Sequence, residues 1–330
     1  MGYGIIKLQK LELEIGRTCI PLKTTVKKMD YDKVMALPRP KHHKPIRPNY
    51  FLQTLIQLLS LPTLKKTGFT YRTHGMEQIG KKEPILILMN HSSLIDLEIV
   101  SRIFFPKRYG IVTTSDSFVG PLMRWLMPLI GCIPTLKFVS DLTLIRDMKY
   151  ALTEKKCDVL MFPEAGYSLD GRKTVLPRGL GALLKRFKVP VVTVTTWGAF
   201  ARDPLYNCLQ KRKVTVRADV TCLATKEELK ALSVAELDAK IEEAFSFDNF
   251  RWQQEQNLHI DQSFRADGLH RILYKCPHCG AENRMEGKGI HLTCHACGKQ
   301  WELDELGQLH ALEGETEFSH VPDWFEWERS

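Results

Sequence analysis

No stretch of the 330-residue chain reaches the roughly 20 consecutive apolar residues that a membrane-spanning helix needs. The opening residues, MGYGIIKLQKLELEIG, alternate apolar and charged positions and lack the continuous apolar core of a secretory signal. Internal repeats and low-complexity tracts are missing, so solenoid and fibrous architectures are excluded. There is no Gly-x-Ser-x-Gly elbow, which argues against a serine nucleophile at Ser92 or Ser93. The nine cysteines show no disulfide framework. Five (Cys19, Cys132, Cys157, Cys208, Cys222) are scattered and four cluster near the C-terminus, which points to a reducing compartment, expected to be cytoplasmic, and to a metal site.

What is present is the composition of a soluble globular protein, 44% hydrophobic and 26% charged, with a formal net charge of +9. That surplus suggests a negatively charged partner: phosphate headgroups, a nucleotide-bearing cofactor or nucleic acid. Two apolar stretches, FLQTLIQLLSLPTL (51–64) and FVGPLMRWLMPLIGCIPTL (118–136), fit core helices by length. The alternative is a surface lying in a membrane interface, with Arg124 and Trp125 at headgroup level. The proline-rich basic segment LPRPKHHKPIRPNY (37–50) reads as an extended strap, and its His42-His43 pair has no third metal ligand nearby.

From about residue 65 to 225, short apolar runs alternate with amphipathic stretches. Strands are expected at 83–90, 107–113, 157–162, 189–195 and 213–220, and helices at 94–103, 140–152 and 180–187. Thr225 with Glu228 and Ser233 with Glu236 both have capping-box spacing, so 225–245 is expected to hold two helices meeting near Ser233. The pattern predicts an α/β fold: a mixed, mostly parallel sheet flanked by helices, plus a small C-terminal module. The expected organisation is an N-terminal extension and linker (1–60), the α/β domain (61–247), a connector (248–272), a cysteine module (273–304) and an acidic tail (305–330).

NHSSLID (90–96) follows the apolar run 85–89, where a strand gives way to a helix. Strand-end loops are where α/β proteins place their chemistry. Two readings of His91 and Asp96 stay open on pattern alone: a buried His beside a helix cap, or a carboxylate holding one ring nitrogen so that the other is free as a base. FPEAGYSLDGR (162–172) follows a later strand; Glu164 sits at its end as a substrate-binding candidate or a solvated acid, and Gly166 and Gly171 allow close backbone approach.

Taken together these segments resemble the glycerolipid acyltransferase family, which includes the 1-acylglycerol-3-phosphate acyltransferases. NHSSLID resembles its first signature, GCIPTLK (131–137) its second, FPEAGYS its Phe-Pro-Glu-Gly third and VPVVTVTTWG (189–198) its fourth, in the family's order and spanning roughly 65–220. The resemblance implies that His91 is the general base, that Asp96 orients it, that the donor is an acyl thioester on coenzyme A or acyl carrier protein, and that the acceptor is a lysophospholipid. The chain departs from the family at Ala165, where the family has glycine, and at Gly166-Tyr167, where it has Thr-Arg. The family's arginines help bind the acceptor's phosphate. Lys137, Arg172 and Arg178 are the candidate replacements here, although lysine lacks the fork of arginine.

In YKCPHCGAENRMEGKGIHLTCHACGKQW (274–301), Cys276, Cys279, Cys294 and Cys297 form two Cys-x2-Cys pairs, each followed by glycine. Four thiolates in this pattern suit a structural Zn2+ in a zinc ribbon with no open coordination position. Ribbons can bind nucleic acid, but the acidic flank of this one argues against that partner. The aromatic tail VPDWFEWERS has either the ribbon or a further region to pack on. The expected function is transfer of a fatty acyl group to a lysophospholipid, foremost 1-acylglycerol-3-phosphate, by a peripheral-membrane enzyme. The alternatives are an acyltransferase or thioesterase with another acceptor, and a zinc-ribbon binding protein with an inactive acyltransferase domain.

Overall fold

The computed structural model describes residues 14–15, 18–19, 30–32, 42–118, 120–136 and 141–330; Lys137 lies outside them. Residues 42–49 run without regular structure into the first helix, α1 (Tyr50–Lys66), which Asn49 caps by accepting from the Leu52 amide. His42 is no metal ligand in waiting: its Nε2 lies 2.9 Å from an Asp147 carboxylate oxygen.

The α/β part is built on β1 (Thr70–His74), β2 (Leu86–Met89), α2 (Asp96–Phe104), β3 (Tyr109–Thr114), α3 (Pro121–Ile130), β4 (Cys132–Thr135), α4 (Leu142–Thr153), β5 (Asp158–Met161), α5 (Leu180–Phe187), β6 (Val191–Trp197), α6 (Ala199–Arg202), β7 (Arg217–Ala224), α7 (Lys226–Ala231) and α8 (Val234–Ala244). Its seven strands form one sheet in the order β1-β7-β6-β2-β5-β3-β4. Every pairing is parallel except β6 with β7. The mixed, mostly parallel sheet is therefore as expected. β1 and β4 were not foreseen: all five side chains of β1 are exposed, and β4 is an edge strand that carries Pro134, where a missing N–H is tolerated.

The unbroken apolar run of β2 follows from its central place, because a parallel strand is buried on both faces. Leu86 and Leu88 join one core layer with Met148 and Leu152 of α4, Leu184 of α5 and Ile241 of α8. Ile87 and Met89 join the other with Leu64 of α1 and Ile99 and Phe104 of α2. The two-residue period of a strand thus feeds both layers. Both capping boxes form: Thr225 with Glu228 starts α7, and Ser233 with Glu236 starts α8.

The two long apolar stretches are not core helices. α1 buries only Gln57, Ser60 and Leu64, and leaves Phe51 81% exposed beside exposed Leu55, Leu58 and Leu59. α3 buries no residue and holds Trp125 64% exposed. Their length suited a core, but α1 reaches the core layers through Leu64 near its end, and α3 sends no buried side chain into them.

After α9 (Asn249–Glu255), a four-stranded antiparallel sheet follows, β8 (Met285–Lys288), β9 (His291–Cys294), β10 (Gln300–Leu303) and β11 (Leu309–Ala311), then α10 (Val321–Trp327). Part of the acidic tail is strand β11, and its aromatics pack on the ribbon: the Trp324 ring lies edge-on to Trp301 at 5.0 Å, both fully buried. That core also contains Phe200 and Tyr206 from the α/β part and Phe250 of α9.

Asp158 opens β5 almost fully buried, accepting from the Ile85 amide at 3.0 Å with Lys107 Nζ 3.7 Å away. Burial pushes its pKa up to about 6, against a usual 3.8. The folded state then keeps a proton that the unfolded chain has already lost, so stability falls as pH rises from about 4 to about 6. Urea denaturation across pH should show this slope in the wild type, and Asp158→Asn should flatten it and be the more stable protein above pH 6.

Candidate active site and metal centre

The carboxyl ends of β2, β5 and β6 meet at one edge of the sheet. Asn90, 1% exposed, ties two of them: its Oδ1 accepts from the Thr196 amide (2.8 Å) and Thr196 Oγ1 (3.1 Å), while its Nδ2 donates to Ser92 Oγ at 2.9 Å. An asparagine at the end of an apolar strand is thus a satisfied staple between strand ends.

Asp96 is the first residue of α2 and is fully buried. Its Oδ2 accepts from the amides of Ser92 (2.8 Å) and Ser93 (3.0 Å) and lies 2.9 Å from His91 Nδ1. The first turn of a helix suits a negative charge, and from there Asp96 reaches back to the loop amides three and four residues before it. Because Asp96 is an acceptor, Nδ1 is assigned the proton, which leaves Nε2 of the neutral ring as the base. The pair is therefore oriented as the dyad reading requires.

The His91 ring is held on both sides. Phe162 stacks on it at 4.1 Å and Tyr167 at 3.8 Å, with interplanar angles of 26° and 30°. Two rings at such distances cannot share one face, so the imidazole is sandwiched and only its edge is free. The His91 side chain keeps 18% of its surface exposed. Its backbone is pinned as well: His91 N–H donates to Glu164 Oε2 (2.9 Å), and its carbonyl accepts from the Ser168 amide (2.8 Å). The other Glu164 oxygen accepts from the Thr174 amide at 2.8 Å. Burial raises the pKa of Glu164, and these two amides partly offset that.

The serine alternative loses its nucleophiles. Ser92 Oγ accepts from Asn90, and the buried Ser93 hydroxyl donates to Asp203, which is in turn paired with Arg202.

The expected substrate-binding residues are dispersed. Each Glu164 oxygen accepts from one of the protein's own amides, so the side chain clamps the loop. Gly166 is half-buried, with open space where a Cβ would stand. Arg172 turns to the C-terminal helix, donating to Glu326 (3.1 Å) and the Pro322 carbonyl (2.6 Å). Arg178 is exposed beside a separate cavity of about 230 Å³ lined by Leu176, Leu180, Asp238 and Ile241. Sequence reasoning missed Tyr167 as a partner of His91; it stood out only as a departure from Thr-Arg. Ser168 gave no signal at all, because its part is played by a backbone amide.

In the second constellation, Cys276 Sγ lies 3.8 Å from Cys297 Sγ, and Cys279 Sγ lies 3.8 Å from Cys294 Sγ. All four sulfurs fall within 4.8 Å of one another. These separations are too long for disulfides, whereas tetrahedral metal–sulfur bonds of about 2.3 Å set neighbouring sulfurs about 3.8 Å apart. Gly280 (φ +73°) and Gly298 (φ +80°) supply the left-handed turn after each pair. His278 and His295 face Glu317 and Glu286 at 3.5 and 2.8 Å, away from any ligand role.

The sequence profile described as Acyltransferase matches residues 70–197, which contain His91, Asp96 and Glu164. Residues 70–197 form an acyltransferase-family domain. Over 153 residues the chain is 27% identical to a chloroplastic 1-acyl-sn-glycerol-3-phosphate acyltransferase of Brassica napus, covering 46% of this chain and 42% of that protein. A chloroplastic relative of the same name from Arabidopsis thaliana is 28% identical over 127 residues (38% and 35%), and one from Saccharomyces cerevisiae 28% over 131 (38% and 43%). The chain thus spans less than half the length of these curated relatives. The crystal structure of the 1-acyl-sn-glycerophosphate acyltransferase PlsC from Thermotoga maritima aligns with a TM-score of 0.47 at 18% identity, over 64% of this chain and 82% of that one. The sulfur cluster lies outside the acyltransferase domain.

Within residues 70–197, Ala165 stands at the position expected to be glycine in the third signature, and its φ of +54° is one that glycine adopts without strain. An L-residue held there is strained by about 1–2 kcal/mol. Glycine relieves this but gains freedom in the unfolded chain, so Ala165→Gly is expected to raise the unfolding free energy by about 0.5–1 kcal/mol, measured by urea denaturation.

Proposed function

We propose that the protein transfers a fatty acyl group from an acyl thioester, on coenzyme A or acyl carrier protein, to the hydroxyl of a lysophospholipid, foremost 1-acylglycerol-3-phosphate. One observation carries this reading: a sandwiched imidazole whose Nδ1 is occupied by a buried carboxylate and which keeps 18% of its side-chain surface exposed, leaving Nε2 without a partner among the described residues. A hydroxyl attacks a carbonyl poorly unless a base takes its proton as the bond forms. His91 Nε2 takes that proton, the oxygen adds to the thioester carbonyl, and the tetrahedral intermediate collapses with loss of thiolate. The thiolate then recovers the proton from Nε2, so ester and thiol are the products and His91 is unchanged. The imidazolium formed in between is stabilised by Asp96. The amides of Ser92 and Ser93 are consumed by Asp96, so the oxyanion has to find its donors elsewhere. The open backbone at Gly166 is our candidate.

The acyl chain and acceptor arrive from a lipid surface in this reading. The start of α1 is tied to the end of α3, with Asn49 N–H donating to the Leu129 carbonyl and Gln53 Nε2 to the Ile130 carbonyl. The exposed Phe51, Leu58 and Leu59 of α1 and Leu122 and Trp125 of α3 are therefore carried on linked elements. Lys65 and Lys66 end α1, and Arg124 lies on α3. Apolar side chains beside cations suit a peripheral stance on anionic lipid. No helix among the described residues is long and apolar enough to cross a membrane. We place the protein on the cytoplasmic side, in keeping with its free thiols.

We assign a structural Zn2+ to Cys276, Cys279, Cys294 and Cys297. Four thiolates leave no position for substrate, so the ion supplies folding energy and no chemistry. The acidic residues around the ribbon argue against a nucleic-acid ligand. A second acceptor is favoured by one observation, the commitment of Arg172 to the C-terminal helix.

Labelled acyl-coenzyme A and acyl carrier protein offered with a panel of lysophospholipids should give transfer to lysophosphatidate. His91→Ala should lose about 10³-fold in kcat with the fold intact by circular dichroism. Transfer only to other acceptors would reject lysophosphatidate, and full activity of His91→Ala would reject the mechanism. Elemental analysis should find one zinc per chain, and its removal by a chelator should markedly lower the thermal midpoint, since structural zinc contributes on the order of 10 kcal/mol. A protein purified without metal and equally stable would dismiss the zinc assignment.

A further inference from the structure

The loop that follows Glu164 reaches the C-terminal helix through a continuous set of hydrogen bonds. Ser168 N–H donates to the His91 carbonyl at 2.8 Å. Ser168 Oγ in turn donates to the Arg172 carbonyl (2.5 Å) and accepts from the Gly171 amide (3.0 Å), so 168–172 closes into a tight turn. Gly171 has φ +83°, and a Cβ there would meet the Phe200 ring at 3.0 Å, so the turn sits directly on the packed interior. The Gly171 carbonyl accepts twice from Asn249, from its amide (3.0 Å) and its side chain (2.9 Å).

Arg172 spans the gap from this turn to α10. Its Nε donates to Asp170 at 3.2 Å, one terminal nitrogen donates to Glu326 at 3.1 Å with Asp323 3.8 Å away, and the other donates to the Pro322 carbonyl at 2.6 Å. Alongside, Asp248 lies 2.8 Å from His320 Nε2. α10 is itself fastened to the cysteine module: Trp324 Nε1 donates to the Lys275 carbonyl at 2.9 Å, one residue before Cys276. A planar fork with several donors suits such a three-way bridge in a way that a lysine ammonium does not.

We infer that Arg172 is a positioning residue: it locks the 168–172 turn against α10, and through the Ser168 amide it fixes the backbone of His91, so that the C-terminal module completes the acyl-transfer site. The inference rests on the functional reading above. It differs from the expectation that Arg172 binds a phosphate, because each of the three guanidinium nitrogens already donates to a partner within the chain.

The test is hydrogen exchange together with kinetics on the full-length protein carrying Arg172→Ala and Arg172→Lys. In Arg172→Ala the Ser168 amide is expected to exchange at least about tenfold faster while amides of β6 keep their protection. Its kcat should fall about 10-fold to 10²-fold at unchanged KM for both substrates, since misplacing the base costs rate and not binding. Arg172→Lys should recover part of the loss, and Glu326→Gln, a gentler cut of the same bridge, should shift both readouts in the same direction by less. Unaltered protection of Ser168 overturns the inference. So does a KM increase for a phosphate-bearing acceptor at constant kcat, which would make Arg172 a direct ligand contact. If the wild type transfers no acyl group to any acceptor, the functional reading fails, while exchange at Ser168 still decides whether Arg172 holds the loop.

Discussion

A carboxylate with no exposed surface is the constraint around which the site is organised. Asp96 has to find compensation inside the protein, because an ionised group left alone there would be prohibitively costly. It finds three donors within 3.0 Å: the amides of Ser92 and Ser93 and the Nδ1 of His91. The first two come from the loop just before α2 and fix its course. The third follows from them, since the oxygen that receives the loop amides is the one that aims the imidazole. Stacking by Phe162 and Tyr167 removes the remaining freedom of the ring. The contacts that fix the loop therefore also fix the ring, and an imidazole in this position has little room to wander.

That economy extends to Glu164. Its two oxygens bind two backbone amides, one on each of the loops that border the site. The acid expected at a substrate contact is also the clasp that brings the β2 and β5 loops together. Its raised pKa reflects the cost of placing a carboxyl there. The C-terminal module adds a third support. Its core takes in Phe200, Tyr206 and Phe250, so it is packed into the domain and not suspended from it.

Much of this was legible beforehand, for reasons that can be named. The β2 run reads as a strand because a central parallel strand needs apolar residues on both faces, and the two capping boxes read correctly because Ser or Thr and Glu three residues apart satisfy one another locally. The cysteine pairs read as one site because their spacing and following glycines are local requirements of the ligand geometry. The failures are equally specific. The length of 51–64 and 118–136 suggested core, yet burial depends on which distant segments meet: α1 gives the core layers Leu64, and α3 buries no residue. β1 shows no hydrophobic alternation, since it is an edge strand with every side chain exposed. Tyr167 and Ser168 escaped notice because one acts by stacking on a residue 76 positions away and the other through its backbone.

The sequence by itself determined the strand–helix alternation, the dyad's residues and the four sulfurs, because each depends on contacts between near neighbours in the chain. Only the tertiary structure decided where Arg172 and Glu164 spend their hydrogen bonds, which apolar faces stay uncovered, and that the tail is part of the core. Those outcomes depend on which distant segments meet, and hydrogen bonds between side chain and backbone 73 and 150 residues apart leave no periodic trace in the chain.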